Sequence, residues 1–97
     1  MAALTELDIQ AGLFAPPGEG EETAEVYRRE AQVLYRSDRE AAAGLLLDAA
    51  YANDRDENPC EVIVRDLRLA VSLCPESGWV HSAAHRLMLK LGLWREA

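Results

Sequence analysis

Apolar residues in this chain return every three or four positions and nowhere alternate in twos, which predicts helices and no sheet. Val26, Tyr27, Ala31, Leu34 and Tyr35 keep that spacing behind Thr23, which can cap a helix running to about Arg36. Ser37-Asp38-Arg39-Glu40 has the form of a capping box, in which hydroxyl and carboxylate each satisfy a free backbone N–H. It opens a second helix through Ala41–Ala43 and Leu45–Leu47 to about Ala52. Three adjacent leucines leave little face to expose, so this helix is expected at the centre of the fold.

A polar loop follows at Asn53–Glu57. Asn58 as cap, Pro59 in the first turn and Glu61 closing the box start a third helix. Its inward stripe is Ile63, Leu67, Ala70 and Val71, with Arg65, Asp66 and Arg68 expected to face out. Pro75 ends it. Ser77 caps a fourth helix over 78–91 with the stripe Val80, Ala83, Ala84, Leu87 and Leu91; Gly92 stops it, and another is predicted from near Leu93. Upstream, residues 4–13 fit a short helix, with Thr5 as cap, Asp8 three residues on and Gly12 as stop. The Pro-, Gly- and Glu-rich run 15–22 cannot bury enough to hold a helix and is expected to be a linker. The chain thus divides into an acidic, partly disordered tail, 1–22, and an all-α helical domain, 23–97. The first dozen residues are either a docking segment on a tether or poorly ordered.

Nearly half of the residues are hydrophobic but only 6% aromatic, and Ala, Leu and Val carry the apolar share, as suits helices. The net charge of −7 argues against phosphate neutralisation and hence against nucleic acid as a partner. The charge is uneven. Residues 1–30 carry Glu6, Asp8, Glu19, Glu21, Glu22, Glu25 and Glu30 against Arg28 and Arg29, whereas Arg86, Lys90 and Arg95 outnumber Glu76 and Glu96 in 76–97. The two ends either attract each other, within or between chains, or are ordinary solvated faces. No apolar run approaches the roughly 20 residues that span a bilayer, and no basic-then-apolar leader opens the chain. The expectation is a soluble, cytoplasmic protein without membrane insertion.

On one helix, Cys60 and Cys74 would lie about 20 Å apart, whereas a disulfide needs Cα atoms within about 7 Å. Two free thiols fit a reducing compartment. His81 and His85 have the i, i+4 spacing of some metal ligands, and Cys74 is near in sequence, but no carboxylate falls between the histidines as in a metalloprotease helix. They are read as helix-face residues, His81 satisfying hydrogen bonds at the helix start. No phosphate loop, nucleophile elbow or zinc-knuckle spacing is present. Neither catalysis nor a metal or other cofactor is expected.

Two stretches carry a family resemblance. Ala70-Val71-Ser72-Leu73-Cys74-Pro75 resembles the Ala-Leu-x-Leu-x-Pro close of a tetratricopeptide (TPR) unit. Gly92-Leu93-Trp94-Arg95-Glu96-Ala97 resembles the Gly-x-aromatic-x-Glu-Ala turn of the next unit. Pro75 and Gly92 are 17 residues apart, about what a first helix and its turn require. Ala31–Arg36 resembles an earlier close without its proline, so Arg39–Pro75 is similar to one complete, slightly long unit. The match departs from the pattern in 78–91, where His81, Ala84, His85 and Met88 take the signature places and His85 replaces a small residue. A frame giving Trp79 the tryptophan place restores Ala83 as the small residue but misplaces Pro75 and Gly92.

The resemblance implies antiparallel hairpins stacked as a short right-handed solenoid of four to five helices, cut mid-unit, from the N-terminal part of a larger bacterial repeat protein. It makes Trp79, Ser82, Arg86, Leu89 and Lys90 the concave, ligand-facing residues and packs Trp94 under the following turn. Arg86 and Lys90 are four apart, on one helix face. They either hold an acidic partner's carboxylate, or are solvated or paired with nearby glutamates. The function implied is a non-catalytic scaffold binding a partner peptide or helix. The alternatives are a small dimeric adaptor or secretion-type chaperone, or a regulatory subunit of an enzyme. Homo-oligomers are expected through the C-terminal helix face or the N-terminal tail, because repeat units bury their faces by stacking.

Overall fold

A computed structural model describes residues 4–92, and its elements are α1 (Glu6–Leu13), α2 (Glu22–Leu34), α3 (Arg39–Arg55), α4 (Cys60–Leu73) and α5 (Gly78–Lys90). The described residues contain no strand. The helix predicted from Leu93, including Trp94, lies outside the described residues. No described helix is long and apolar enough to cross a membrane.

Side chains cap α1 and α3, whereas the cap residues of α2, α4 and α5 make no side-chain bond to the helix. Thr5 caps α1: its hydroxyl accepts from the Asp8 N–H at 3.2 Å and donates to the Asp8 carboxylate at 2.8 Å. Glu21, not Thr23, occupies the cap of α2. Asp38, not Ser37, caps α3, accepting from the Ala41 N–H at 3.1 Å. The segment expected as a loop from Asn53 continues α3 as far as Arg55, because the Asn53 side chain is fully buried and bonded. Glu57, at φ 58°, breaks the run. Pro59 rather than Asn58 is the cap residue of α4. Asn58 is used instead to bind the Gly20 carbonyl and the Asn53 side-chain oxygen, each at 2.8 Å.

α3 is central, as its leucines predict: it packs against α2, α4 and α5. Leu46 and Leu47 meet Ile63 and Leu67 of α4 and Val80, Leu87 and Met88 of α5 in one core. Trp79 bonds Glu40 near the starts of α5 and α3, and Lys90 bonds Asp54 near their ends, so these two helices run parallel. α2 and α4 run against them. On the opposite side of that pair lies α1, antiparallel to α2 and crossing α4 near Leu69. Residues 4–22, read from the sequence as tail and linker, pack here against the helices that follow. Ile9 and Leu13 enter the core, the Leu4 N–H donates to Ser72 Oγ at 3.2 Å, and Gln32 donates to the Leu13 carbonyl at 2.9 Å. Gly12 is not the stop of α1. It allows close approach, since a Cβ there would stand 2.9 Å from Leu69 Cδ2. The Cα radius of gyration, 11.9 Å, matches the roughly 12–13 Å of a compact domain of this length.

Candidate partner-binding face

Two helices supply the face. On α3, Glu40, Gly44, Asp48, Tyr51 and Arg55 follow one another at three- and four-residue steps, and Tyr51 is exposed. On α5, Trp79, Ser82, Arg86 and Leu89 do the same, and all four are exposed. Gly44 makes room for the indole: a Cβ on it would lie 3.2 Å from Trp79 Cη2. The Trp79 N–H donates to Glu40 at 2.6 Å, and Ser77 Oγ donates to the same carboxylate oxygen at 3.1 Å. The ring is thus half exposed but held.

The five residues nominated from the sequence share this side of α5, but they are not equivalent. Lys90 is committed to Asp54 at 2.6 Å and Trp79 to Glu40. Arg86 forms no ion pair among the described residues and only reaches the Ser82 carbonyl of its own helix at 3.4 Å. Leu89 stays 47% exposed next to it. Partial burial pushes the Asp48 carboxyl above its ordinary value. The surface therefore offers aromatic and aliphatic area, one available cation on α5 and acids on α3.

Sequence reasoning sent Asp66 outward, and the structure reverses that. Asp66 is 0% exposed and ion-paired with Arg28, itself 1% exposed. Arg65 also reaches Asp66, at 3.1 Å, and pairs with the buried Glu21; Asn53 donates to Asp66 at 3.1 Å and to Glu21 at 3.3 Å. Arg28 donates to the Gly12 carbonyl at 2.7 Å, which ties α1 to the same cluster. Glu25 lies beside it, one carboxylate oxygen buried without a hydrogen bond and 3.9 Å from Arg28 Nε. Burial pushes the Asp66 carboxyl above its ordinary range, and Arg28 and Arg65 draw it only part of the way back. Glu21 ends on the other side. Burial again pushes upward, but Arg65, the Gly18 N–H and Asn53 outweigh it and hold Glu21 below the usual range.

A signal for the pair did exist. Arg28 falls in the stripe Ala24, Ala31, Tyr35, and Asp66 in the stripe Ile63, Leu67, Ala70. Opposite charges, each on the inner face of its own helix, predict a buried pair when position is weighed above residue type. The same weighting corrects α2, where Val26 and Val33 are exposed and Ala24, Arg28 and Ala31 are inside.

An open groove of about 740 Å³ separates α1 from α4. Leu4, Gly12, Val64 and Leu69 form its apolar lining, and Asp8, Glu61, Arg65 and Arg68 add charge to it. The exposed Cys60 lines one end, and neither it nor Cys74 is in a disulfide. His81 contacts the Pro75 carbonyl at 2.6 Å, joining the helix start to the preceding turn. No three His, Cys, Asp or Glu side chains gather as a ligand set among the described residues. No protein-family model, curated protein or solved structure matches the chain. The tetratricopeptide resemblance therefore stands on the residues of this sequence.

Proposed function

We propose that the chain is a non-catalytic interaction module of tetratricopeptide type, a short right-handed solenoid that holds a partner's peptide or helix against the α3/α5 face. The observation that carries this reading is the parallel, side-by-side placement of α3 and α5. Stacked repeats are related by translation, so corresponding helices of successive units must lie parallel and adjacent. The resemblance makes α3 the first helix of one unit and α5 the first helix of the next. The face they form exposes Trp79, Tyr51 and Leu89 beside Arg86. Aromatic and arginine side chains are the groups that most often anchor protein partners. Arg86 selects a carboxylate, while Lys90 holds α5 against α3 through Asp54. An acidic segment carrying an apolar anchor is the partner that this chemistry fits.

A second reading, a small dimeric adaptor or chaperone of the same fold, is favoured by Leu7 and Phe14, which stand exposed on α1. A cytoplasmic, bacterial setting and a longer parent protein are parts of the first proposal. Selection from a displayed peptide library on the immobilised chain tests the face. The expected peptides combine carboxylates with a large apolar residue, and Arg86→Glu/Lys90→Glu weakens them by at least about tenfold. Equal affinity for wild type and variant would rule the face out.

A further inference from the structure

α1 is apolar on two sides. Ile9 and Leu13 point into the core, while Leu7, Ala11 and Phe14, at i, i+4 and i+7, follow one another along its outer side. Leu7 is 78% and Phe14 53% exposed. Singly exposed apolar residues are ordinary, but these form a strip. On the next line around the same side, Leu4, Asp8 and Gly12 border the α1/α4 groove, with the Asp8 carboxylate in the middle. The apolar strip thus lies beside a groove whose apolar floor is bordered by charged side chains.

The charges at the groove say what covers it. Glu61 and Arg68 stand on α4 seven residues apart, about two helical turns or roughly 10 Å. Neither forms an ion pair or a side-chain hydrogen bond among the described residues. A uniformly acidic or basic partner would meet repulsion on one half of this rim. A second copy, turned by a two-fold axis over Val64, sets Glu61 of each chain against Arg68 of the other and satisfies both halves at once. The same rotation lays the α1 side of each chain against that of the other. An interface in which one patch is its own complement closes at two chains.

We propose that two copies of this chain join as a symmetric dimer through the α1 side, the Leu7–Phe14 strip of each packing against the α1 side of the other, with Glu61 paired to Arg68 across the axis. This does not rest on the α3/α5 reading, because Arg86 lies on another face.

Light scattering of the full chain over a concentration series is the test, with circular dichroism confirming helicity of every variant. The mass is expected to rise to that of two chains and stop there. Leu7→Glu weakens association by at least about tenfold, and Arg86→Glu leaves it unchanged. Glu61→Arg and Arg68→Glu each weaken it alone, because each makes the rim self-repelling. Mixed together they restore it, since each variant supplies the charge that the other lacks. A chain that stays monomeric throughout, whatever else its α1 side binds, overturns the proposal. So does a mass that keeps growing past two, or a mixture that behaves as its separate components. If Leu7→Glu fails to fold, the two rim variants and their mixture decide the matter.

Discussion

Arg28 and Asp66 are both withdrawn from water, and each is bonded on more than one side, so removing either strands a charge that the surroundings cannot solvate. Asp66→Ala is therefore expected to cost about 3–5 kcal/mol in urea unfolding. Replacing both members by apolar residues of similar size, Arg28→Met with Asp66→Leu, should recover most of that loss; a double variant no better than the single would locate the cost elsewhere. Acid titration separates the two buried carboxylates. Glu21 is held below its ordinary 4.5 in the fold. Its stabilisation is complete above that value and is lost as pH falls through the lower, folded one. Asp66 works in the opposite sense: with its folded value above 3.8, lowering pH through that window relieves a buried charge. Melting temperature should change little on the first approach from neutral pH and then fall steeply. Glu21→Gln should flatten the steep part of that curve, and an unaltered slope would acquit Glu21.

Helix existence could be read from the sequence because the three- and four-residue spacing of α2 to α5 has no competing reading. Helix ends were less legible. Ser37 and Thr23 have the chemistry of caps, yet Asp38 and Glu21 sit at the positions that matter, and only the tertiary arrangement decides between neighbours. The continuation of α3 past Ala52 was hidden for a similar reason. Asn53 and Asp54 look like loop residues until Glu21, Asp66 and Lys90 are brought to them. The α1–α2 connection depends on one backbone position, Gly20, at φ 85° and bonded through its carbonyl to Asn58. An alanine there meets left-handed strain of about 1–2 kcal/mol, and its Cβ would fall 2.8 Å from Asn58 Oδ1. Gly20→Ala should lower stability by at least that strain in denaturant melts. No change would mean that the link re-forms in another conformation.

The molecule as a whole depends on whether its first helix belongs to it. Leu13 is 0% exposed, so Leu13→Ala should cost about 2–5 kcal/mol in global unfolding; a value near zero would show that α1 opens separately from the rest. The nomination of the α5 face came from a family frame, and the parallel course of α3 beside α5 could not be read from spacing along either helix. Whether α1 docks was left open by the sequence, since Ile9 and Leu13 occupy one short turn-and-a-half with no long stripe to decide it. The hydrogen bond from Leu4 to Ser72 joins residues 68 positions apart. α2 to α5 assemble largely through contacts between neighbours in sequence, which close small loops, whereas the site of α1, begun by Arg28 and Gln32 of α2, is incomplete until α4 is in place. During synthesis α1 emerges before α4 and must therefore wait for it. In that interval its doubly apolar helix has only the half of its seat that α2 supplies.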